Sequence, residues 1–183
     1  MKSATPPRTT PADADSTNDP GQTAPLREFA APLPPGSSPR VRHILLVDDD
    51  ATVRDSLRDV LLGEGYAVIP AENGQQALDL ANRSPVDLVL LDLNMPVKNG
   101  WDTFEQFTRE HPLVPIIIAT ARSSQFFTAL HAGAGALLEK PMDIPILLRT
   151  MEKLLAESDE ERRARLAGKQ TPFYFKPAAL RRA

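Results

Sequence analysis

Hydrophobic residues follow two different periods along the middle of the chain. Five short apolar runs, typical of buried strands, are each followed by a segment in which apolar residues recur at helical spacing. Strict alternation of strands and helices with short connections predicts a parallel sheet with helices on both faces, an α/β doubly wound fold of five strands. The predicted strands are residues 44–47, 66–69, 86–91, 114–119 and 136–138.

Several of the predicted helices carry clear start signals. Asp49 or Asp50 can cap the first helix, and Asn73 precedes the second. Asp143 can cap the last helix. The pattern predicts that this helix continues through residues 157–167, where it becomes polar nearly all round, as expected for an extension into solvent.

Composition divides the chain into three parts. Residues 1–40 hold nine of the 18 prolines and few sizeable apolar groups. Such a segment cannot bury enough surface to offset its ordering entropy, so we expect a disordered tail. Residues 43–157 have the length of one compact α/β domain. Residues 158–183 are interpreted as a charged helical extension and a C-terminal tail, with one aromatic cluster at 172–177.

The formal net charge of −3 conceals a gradient along the chain. Residues 1–42, 43–157 and 158–183 carry net charges of +1, −8 and +4. An acidic domain argues against nucleic-acid binding by the domain itself, and it suits a site that gathers carboxylates around a cation. The lack of cysteine excludes disulfides and thiolate chemistry. Because no apolar run approaches the roughly 20 residues of a membrane span, we expect a cytoplasmic protein.

Asp92 ends the apolar run of the third strand, where open α/β sheets place their ligand crevice. By itself, a carboxylate in this position more often caps a turn. Other predicted strands also end in polar residues, with Asp48 and Asp49 after the first, Thr120 after the fourth and Lys140 after the fifth. Because the carboxyl ends of parallel strands share one edge of the sheet, we expect these side chains to meet there.

The residue types at this edge favour phosphoryl transfer. Three carboxylates close together repel each other and need a cation, and Mg²⁺ prefers hard oxygen ligands in octahedral geometry. A metal-held carboxylate beside a lysine is suited to attack phosphorus and form an aspartyl phosphate. The lysine would neutralise charge on the phosphoryl group, and the threonine hydroxyl would donate a hydrogen bond to it. Each residue alone has an ordinary structural explanation, but the set together makes that explanation insufficient.

Four short sequences carry a resemblance to a known family. Residues 45–49 (LLVDD), 90–96 (LLDLNMP), 118–121 (IATA) and 138–141 (LEKP) resemble the signature of receiver domains of response regulators. The similarity covers about residues 43–157 and implies the flavodoxin-like strand order 2-1-3-4-5. It also implies a two-component phosphorelay, in which a histidine kinase or a histidine phosphotransfer protein supplies the phosphoryl group.

The resemblance assigns a role to each residue of the site. Asp92 would accept the phosphoryl group, Thr120 and Lys140 would contact it, and the peptide bond between Lys140 and Pro141 would be cis. The resemblance also implies that residues at two strand ends supply oxygen ligands to Mg²⁺. They are Asp48 (mostly through a bound water), Asp49, Asp92 and the backbone carbonyl of Asn94.

We interpret the chain as a stand-alone response regulator, since the residues after 157 are too few for an output domain. We expect it to signal through a phosphorylation-dependent interaction with a downstream protein target, as a monomer or a weak homodimer. We expect no contact with membranes or nucleic acid. We also expect no enzymatic activity beyond self-catalysed phosphoryl transfer and hydrolysis.

Two departures from the family pattern fall on the face that receivers use for dimers and partners. Leu137 stands where such domains usually carry a Tyr or Phe that rotates inward on activation. The stretch from Thr120 to Gly133 is shorter than usual by about two residues, which predicts a trimmed fourth helix or entry loop. Phe126 and Phe127 lie in this stretch, and we expect one of them in the core and the other exposed.

Other interpretations remain open. A haloacid dehalogenase-type phosphatase would use the same residue types, but it needs a second Asp where Asn94 stands, and it needs a cap domain. A receiver-like binding module that works without phosphorylation is compatible with Leu137, although the complete acidic pocket argues against it. The basic residues after 157 could bind an acidic partner. No glycine motif of the phosphate-binding kind indicates a nucleotide site.

Overall fold

Six parallel strands form one sheet in the computed structural model, which describes residues 40–95, 100–121, 123–169 and 172–177. The strands lie in the order β2-β1-β3-β4-β5-β6, which confirms the predicted order and adds one strand. The predicted N-terminal tail, as far as residue 39, lies outside the described residues. The strands are β1 (His43–Val47), β2 (Ala67–Ala71), β3 (Leu88–Asp92), β4 (Ile116–Thr120), β5 (Ala136–Glu139) and β6 (Tyr174–Lys176).

Helices follow the first five strands and cover both faces of the sheet. They are α1 (Ala51–Gly63), α2 (Gly74–Ala81), α3 (Gly100–Glu110), α4 (Phe126–His131), α5 (Ile144–Ala156) and α6 (Asp159–Leu166). Asp50, rather than Asp49, caps α1, and Asp143 caps α5 as predicted. Asn73 caps α2. Among the described helices, none is both long and apolar enough to span a membrane.

The two faces of β3 explain its unbroken apolar run. Leu88 and Leu90 pack into a core shared with α1 and α5, whereas Val89 and Leu91 pack into a second core shared with α2 and α3. All four side chains are almost inaccessible to solvent, as expected for a central parallel strand with helices on both sides. Asp92 is the first polar residue of this strand, and it lies at the carboxyl end of the strand.

The last helix does not continue as the sequence pattern predicts. α5 ends at Ala156, and Ser158 caps a separate helix, α6. The hydroxyl of Ser158 accepts from the backbone N–H of Glu161, and the carboxylate of Glu161 accepts from the backbone N–H of Ser158. The prediction of one continuous helix is wrong because this reciprocal pair starts a new helix where the polar segment begins.

α6 packs against the domain, so the prediction of an extension into solvent is also wrong. The guanidinium of Arg165 is buried and donates two hydrogen bonds of 2.7 Å to the carboxylate of Glu157. Arg162 donates to the backbone carbonyls of Leu113 and Leu154. These contacts hold α6 beside the loop that leads into β4, and the two arginines donate to partly buried acceptors instead of facing water.

The aromatic cluster near the C-terminus forms β6, which corrects the predicted number of strands from five to six. β6 pairs in parallel with β5, so that Tyr174 lies opposite Ala136 and Phe175 lies opposite Leu137. A run of three residues is too short to show a strand period, and for that reason the sequence pattern did not reveal it.

A buried carboxylate ties the start of β1 to the start of β3. Asp87 accepts a hydrogen bond of 2.8 Å from the backbone N–H of His43 and one of 3.1 Å from the guanidinium of Arg42. Burial alone would raise the pKa of Asp87, but the bonds from His43 and Arg42 and the charge of Arg40 outweigh it and lower the pKa below its ordinary value. Ionised Asp87 therefore stabilises the fold.

We expect Asp87→Asn to lower the free energy of unfolding at pH 7 by about 1 kcal/mol, because a neutral amide loses the charge-assisted bonds. Since the pKa is lowered in the folded state, this contribution is complete above the ordinary pKa of 3.8 and is lost as the pH falls through the folded-state value. In urea unfolding, the difference from wild type should shrink below about pH 4. The exposed Asp59→Asn is the control, and a difference for Asp87→Asn that does not vary with pH would contradict this account.

Candidate functional site

Four strands deliver polar side chains to the carboxyl edge of the sheet. Asp48 follows β1, Asp92 is the last residue of β3, Thr120 is the last residue of β4 and Lys140 follows β5. The first three are 2%, 4% and 0% exposed. The strand ends therefore meet at one edge as expected, with the carboxylates of Asp48 and Asp92 nearly withdrawn from water.

Lys140 connects two strand ends that are far apart in sequence. Its Nζ lies 2.7 Å from Oδ2 of Asp48 and 2.6 Å from Oδ2 of Asp92. Burial alone would lower the pKa of Lys140, but the hydrogen bonds to the two carboxylates outweigh it, and the pKa is raised. The ammonium group is thus held in its charged form between two carboxylates.

The site carries more negative charge than Lys140 balances. Burial raises the pKa of Asp48 in spite of its bond to Lys140, which means that the surroundings of Asp48 disfavour its ionised form. One carboxylate oxygen from each of Asp48, Asp49 and Asp92 lies within 4.8 Å of the others. Asp49 is exposed, which leaves the cluster open to solvent on one side. A cluster of hard oxygen donors with excess negative charge fits a small divalent cation such as Mg²⁺.

Two backbone turns hold the carboxylates in position. Oδ1 of Asp92 accepts from the backbone N–H of Asn94 at 2.9 Å, and Oδ1 of Asp48 accepts from the backbone N–H of Asp50 at 3.0 Å. Each carboxylate therefore uses one oxygen for its own turn and the other for Lys140. The peptide bond between Lys140 and Pro141 is cis, as expected.

Arg54 supports the site, although sequence analysis did not single it out. Its guanidinium donates a hydrogen bond of 2.6 Å to the backbone carbonyl of Asp48. Arg54 lies one turn into α1, four residues after the cap Asp50. Nothing in the sequence distinguished it from the solvent-facing charges of the same helix, since its role depends on how α1 leaves β1.

Gly100 lets α3 begin directly against the end of β3. A Cβ at this position would lie 2.4 Å from the Cα of Leu93 and 2.8 Å from the backbone oxygen of Asp92. Real Cβ atoms do not approach backbone this closely, so any other residue would push the helix away from the strand end. Gly100 thereby fixes the backbone that carries Asp92.

The residues predicted for the switch and partner face lie on and beside β5. Leu137 is fully buried. Phe127 is 68% exposed, whereas Phe126 is partly buried, with its ring 5.5 Å from that of Phe173 and 4.8 Å from that of Phe175. The prediction of an exposed phenylalanine is confirmed for Phe127, but the prediction of a core phenylalanine is wrong, because Phe126 is only partly buried and packs against the C-terminal segment. α4 is a helix of only six residues, in agreement with the predicted trimming.

The sheet order, the carboxylate cluster and the lysine after β5 define a flavodoxin-like α/β domain of the type used in two-component signalling. The family model of the response regulator receiver domain matches residues 44–152, and the chain belongs to this family.

Similar proteins agree with this assignment. The transcriptional regulatory protein CpxR of Escherichia coli (strain K12) is 42% identical over 120 residues, which are 64% of this chain and 51% of that protein. The chain thus spans about half the length of the curated relatives it matches. That the regulator stands alone therefore stays a prediction.

Solved structures match over nearly their whole length. A response regulator receiver domain protein (CheY-like) from Methanospirillum hungatei JF-1 has a TM-score of 0.60 and 28% identity, covering 67% of this chain and 97% of that one. The response regulator protein TrrA from Thermotoga maritima, solved in complex with Mg²⁺-BeF, has a TM-score of 0.59 and 31% identity, covering 62% and 99%.

We expect Gly100→Ala to reduce the free energy of unfolding by about 1–3 kcal/mol, because the added methyl group collides with backbone atoms that cannot move independently. Gly63→Ala is the matched control, since a Cβ at Gly63 meets no atom within 4 Å. Urea unfolding of the two variants measures the difference. Equal free energies of unfolding for the two variants would show that α3 can move away from β3 with little loss of stability.

Proposed function

We propose that the receiver domain accepts a phosphoryl group on Asp92 from the phosphohistidine of a histidine kinase or phosphotransfer protein. In this proposal, phosphorylation changes the contacts of the chain with a downstream protein. The observation that carries it is the position of Lys140, whose ammonium contacts both Asp48 and Asp92 at the mouth of an acidic cluster. A turn-capping role for Asp92 would not require a partly buried lysine brought from 48 residues away.

In the proposed reaction, a carboxylate oxygen of Asp92 attacks phosphorus, and a P–O bond forms as the P–N bond to the donor imidazole breaks. The imidazole nitrogen keeps the electron pair of the broken bond and takes a proton from solvent. Lys140 would neutralise charge on the phosphoryl oxygens, and its contact with the attacking carboxylate supports this role. The hydroxyl of Thr120, at the end of the neighbouring strand, would donate a hydrogen bond to the same group.

We propose Mg²⁺ as the cation of this site. Asp49, Asp92 and the backbone carbonyl of Asn94 would bind it directly, and Asp48 would act mostly through a bound water. Its chemistry would be the neutralisation of charge between the carboxylates and the incoming phosphoryl group. The oxygen-only donor set and the uncompensated charge of the three carboxylates support this choice.

A groove beside the site suits the docking of the phosphoryl donor. It has a volume of about 520 Å³ and lies between α1 and the segment that leads from Lys140 into α5. Val53, Leu57 and Met142 line it, so it presents an apolar surface next to a charged site. A helical donor could bury this surface while its phosphohistidine reaches Asp92. With a net charge of −8 over residues 43–157, protein rather than nucleic acid is the proposed partner of this domain.

The alternatives predict different chemistry. A haloacid dehalogenase-type phosphatase would release phosphate from many phosphomonoesters with turnover, and it would need an acid where Asn94 stands. A binding module that works without phosphorylation would form no adduct, and Leu137 in place of an aromatic residue is the feature that favours it. We propose no turnover beyond phosphorylation and dephosphorylation of the chain itself.

Incubation with Mg²⁺ and acetyl phosphate or phosphoramidate should add about 80 Da, one phosphoryl group, to the intact mass. Asp92→Asn should abolish the adduct, because an amide cannot act as the nucleophile. The matched control is Asp59→Asn, which changes an exposed carboxylate of α1 and should leave the adduct intact. An adduct that persists in Asp92→Asn would disprove the site, and its absence from wild type would favour the phosphorylation-independent module.

Mg²⁺ should raise the midpoint of urea unfolding of the wild type, because it binds the folded state and relieves carboxylate repulsion. Asp49→Asn should weaken Mg²⁺ binding at least about tenfold by isothermal titration calorimetry, as expected for loss of a charged ligand. Asp50→Asn is the control, since asparagine still caps α1 and Asp50 lies outside the cluster. If both variants weakened Mg²⁺ binding equally, the ion would be held by the overall negative charge of the domain and not by Asp49 as a ligand.

A further inference from the structure

β6 adds a short strand to a receiver fold that is complete without it. The family model ends at residue 152, and the strand order β2-β1-β3-β4-β5 accounts for the whole family fold. β6 contains only three residues, Tyr174–Lys176, and pairs with β5 along its outer edge. The unpaired edge of a sheet is a template for another strand, and here the chain supplies that strand itself.

Aromatic side chains attach this strand on both faces of the sheet. The rings of Phe173 and Phe175 contact the ring of Phe126 in α4, in edge-to-face arrangements. On the other face, Nζ of Lys153 in α5 lies 4.8 Å from the centre of the Tyr174 ring. The segment is therefore recognised through aromatic residues at alternate positions, in the manner of a bound peptide.

The attachment is loose compared with the rest of the sheet. The hydrogen bond from the backbone N–H of Tyr174 to the carbonyl of Gly135 is 3.4 Å long. Pockets of about 300 Å³ and 260 Å³, open to solvent, lie beside Phe173, one toward α5 and one toward α4 and α6. Phe175 is 37% exposed. Phe173 and Tyr174 pack against the two cores as partly buried side chains, and the buried residues of both cores come from other elements. We therefore expect the segment to leave without unfolding the domain.

Hydrogen exchange of the Leu137 backbone amide can be used to detect the loss of β6. The N–H of Lys140 bonds the carbonyl of Thr120 on β4, and hydrogen bonds alternate between the two sides of a strand. The N–H of Leu137, three residues earlier, therefore faces β6. Without β6, this amide would be exposed to water.

We propose that the outer edge of β5, with the flanking surfaces of α4 and α5, is a strand-binding site, and that residues 173–176 are its ligand within the same chain. While this segment is bound, the site is closed to any other strand. When it leaves, the site accepts an extended peptide with aromatic residues at alternate positions. The proposal does not depend on phosphorylation of Asp92.

The first test removes the two rings in the full chain with Phe173→Ser and Phe175→Ser together. Phe127→Ser is the matched control, because Phe127 is an exposed ring on α4 that contacts Phe126 from another side. Hydrogen exchange of the Leu137 amide, followed by NMR, should become at least about tenfold faster in the double variant and stay unchanged in the control. Unchanged exchange in the double variant would overturn the proposal.

The second test supplies the ligand as a separate molecule. A fluorescein-labelled peptide of residues 170–177 (QTPFYFKP) should bind the double variant at least about tenfold more tightly than wild type, measured by fluorescence anisotropy, because the wild-type site is occupied. The bound peptide should restore slow exchange of Leu137. A peptide with serine at both phenylalanine positions should not bind. Equal affinity for wild type and variant, or no binding to the variant, would overturn the proposal.

One further observation completes the design. Slow exchange at Val89 and Leu90 in β3 verifies folding, and if the double variant lacks it, the same measurements apply to Phe175→Ser, which loses the more exposed ring.

Discussion

The charge balance around Lys140 is the constraint on which the site depends. Burial opposes ionisation of both Lys140 and Asp48, yet the contacts of the ammonium with Asp48 and Asp92 keep it charged. One ammonium facing three carboxylates leaves the edge of the sheet negative. This residual charge makes the pocket receptive to a divalent cation, and the mobile ammonium of a lysine can turn toward a phosphoryl group without a change in the fold. The parallel sheet serves this arrangement by bringing the ends of β1, β3 and β5 together.

Much of this could be predicted because the signals are local and the topology is strict. An apolar run without alternation predicts a strand with both faces covered, and Leu88 and Val89 do enter separate cores. Asn73 and Asp143 act as caps because a short polar side chain can accept from the next turn whatever surrounds it. Once the sheet is parallel, the residue after each strand must lie on the same edge. Proximity within the site then follows from residue types and positions alone.

The features that sequence could not predict depend on how separate elements are placed against one another. Arg165 has the pattern of a surface charge and is buried because Glu157, before the helix, meets its guanidinium. Arg54 supports Asp48 only because of the angle at which α1 leaves β1. β6 has no period of its own, and its existence depends on the free edge of β5 and on a ring from α4. In each case the local pattern is compatible with solvent, and tertiary structure decides otherwise.

β6 also bears on how a receiver domain with Leu137 in place of the usual aromatic residue could switch. The usual aromatic residue is missing from β5, but three rings gather at the same edge, from Phe126, Phe173 and Phe175. Phe126 lies six residues beyond Thr120, and α4 begins with it. A movement of Thr120 toward a phosphoryl group would therefore be only a few residues from the ring that anchors β6. The proposed binding and release of β6 would be two discrete states of the kind that coupling requires, and a ligand at Asp92 could bias them only by contacting the two states differently. The aromatic part of the switch would then lie in the C-terminal strand and its anchor rather than within β5.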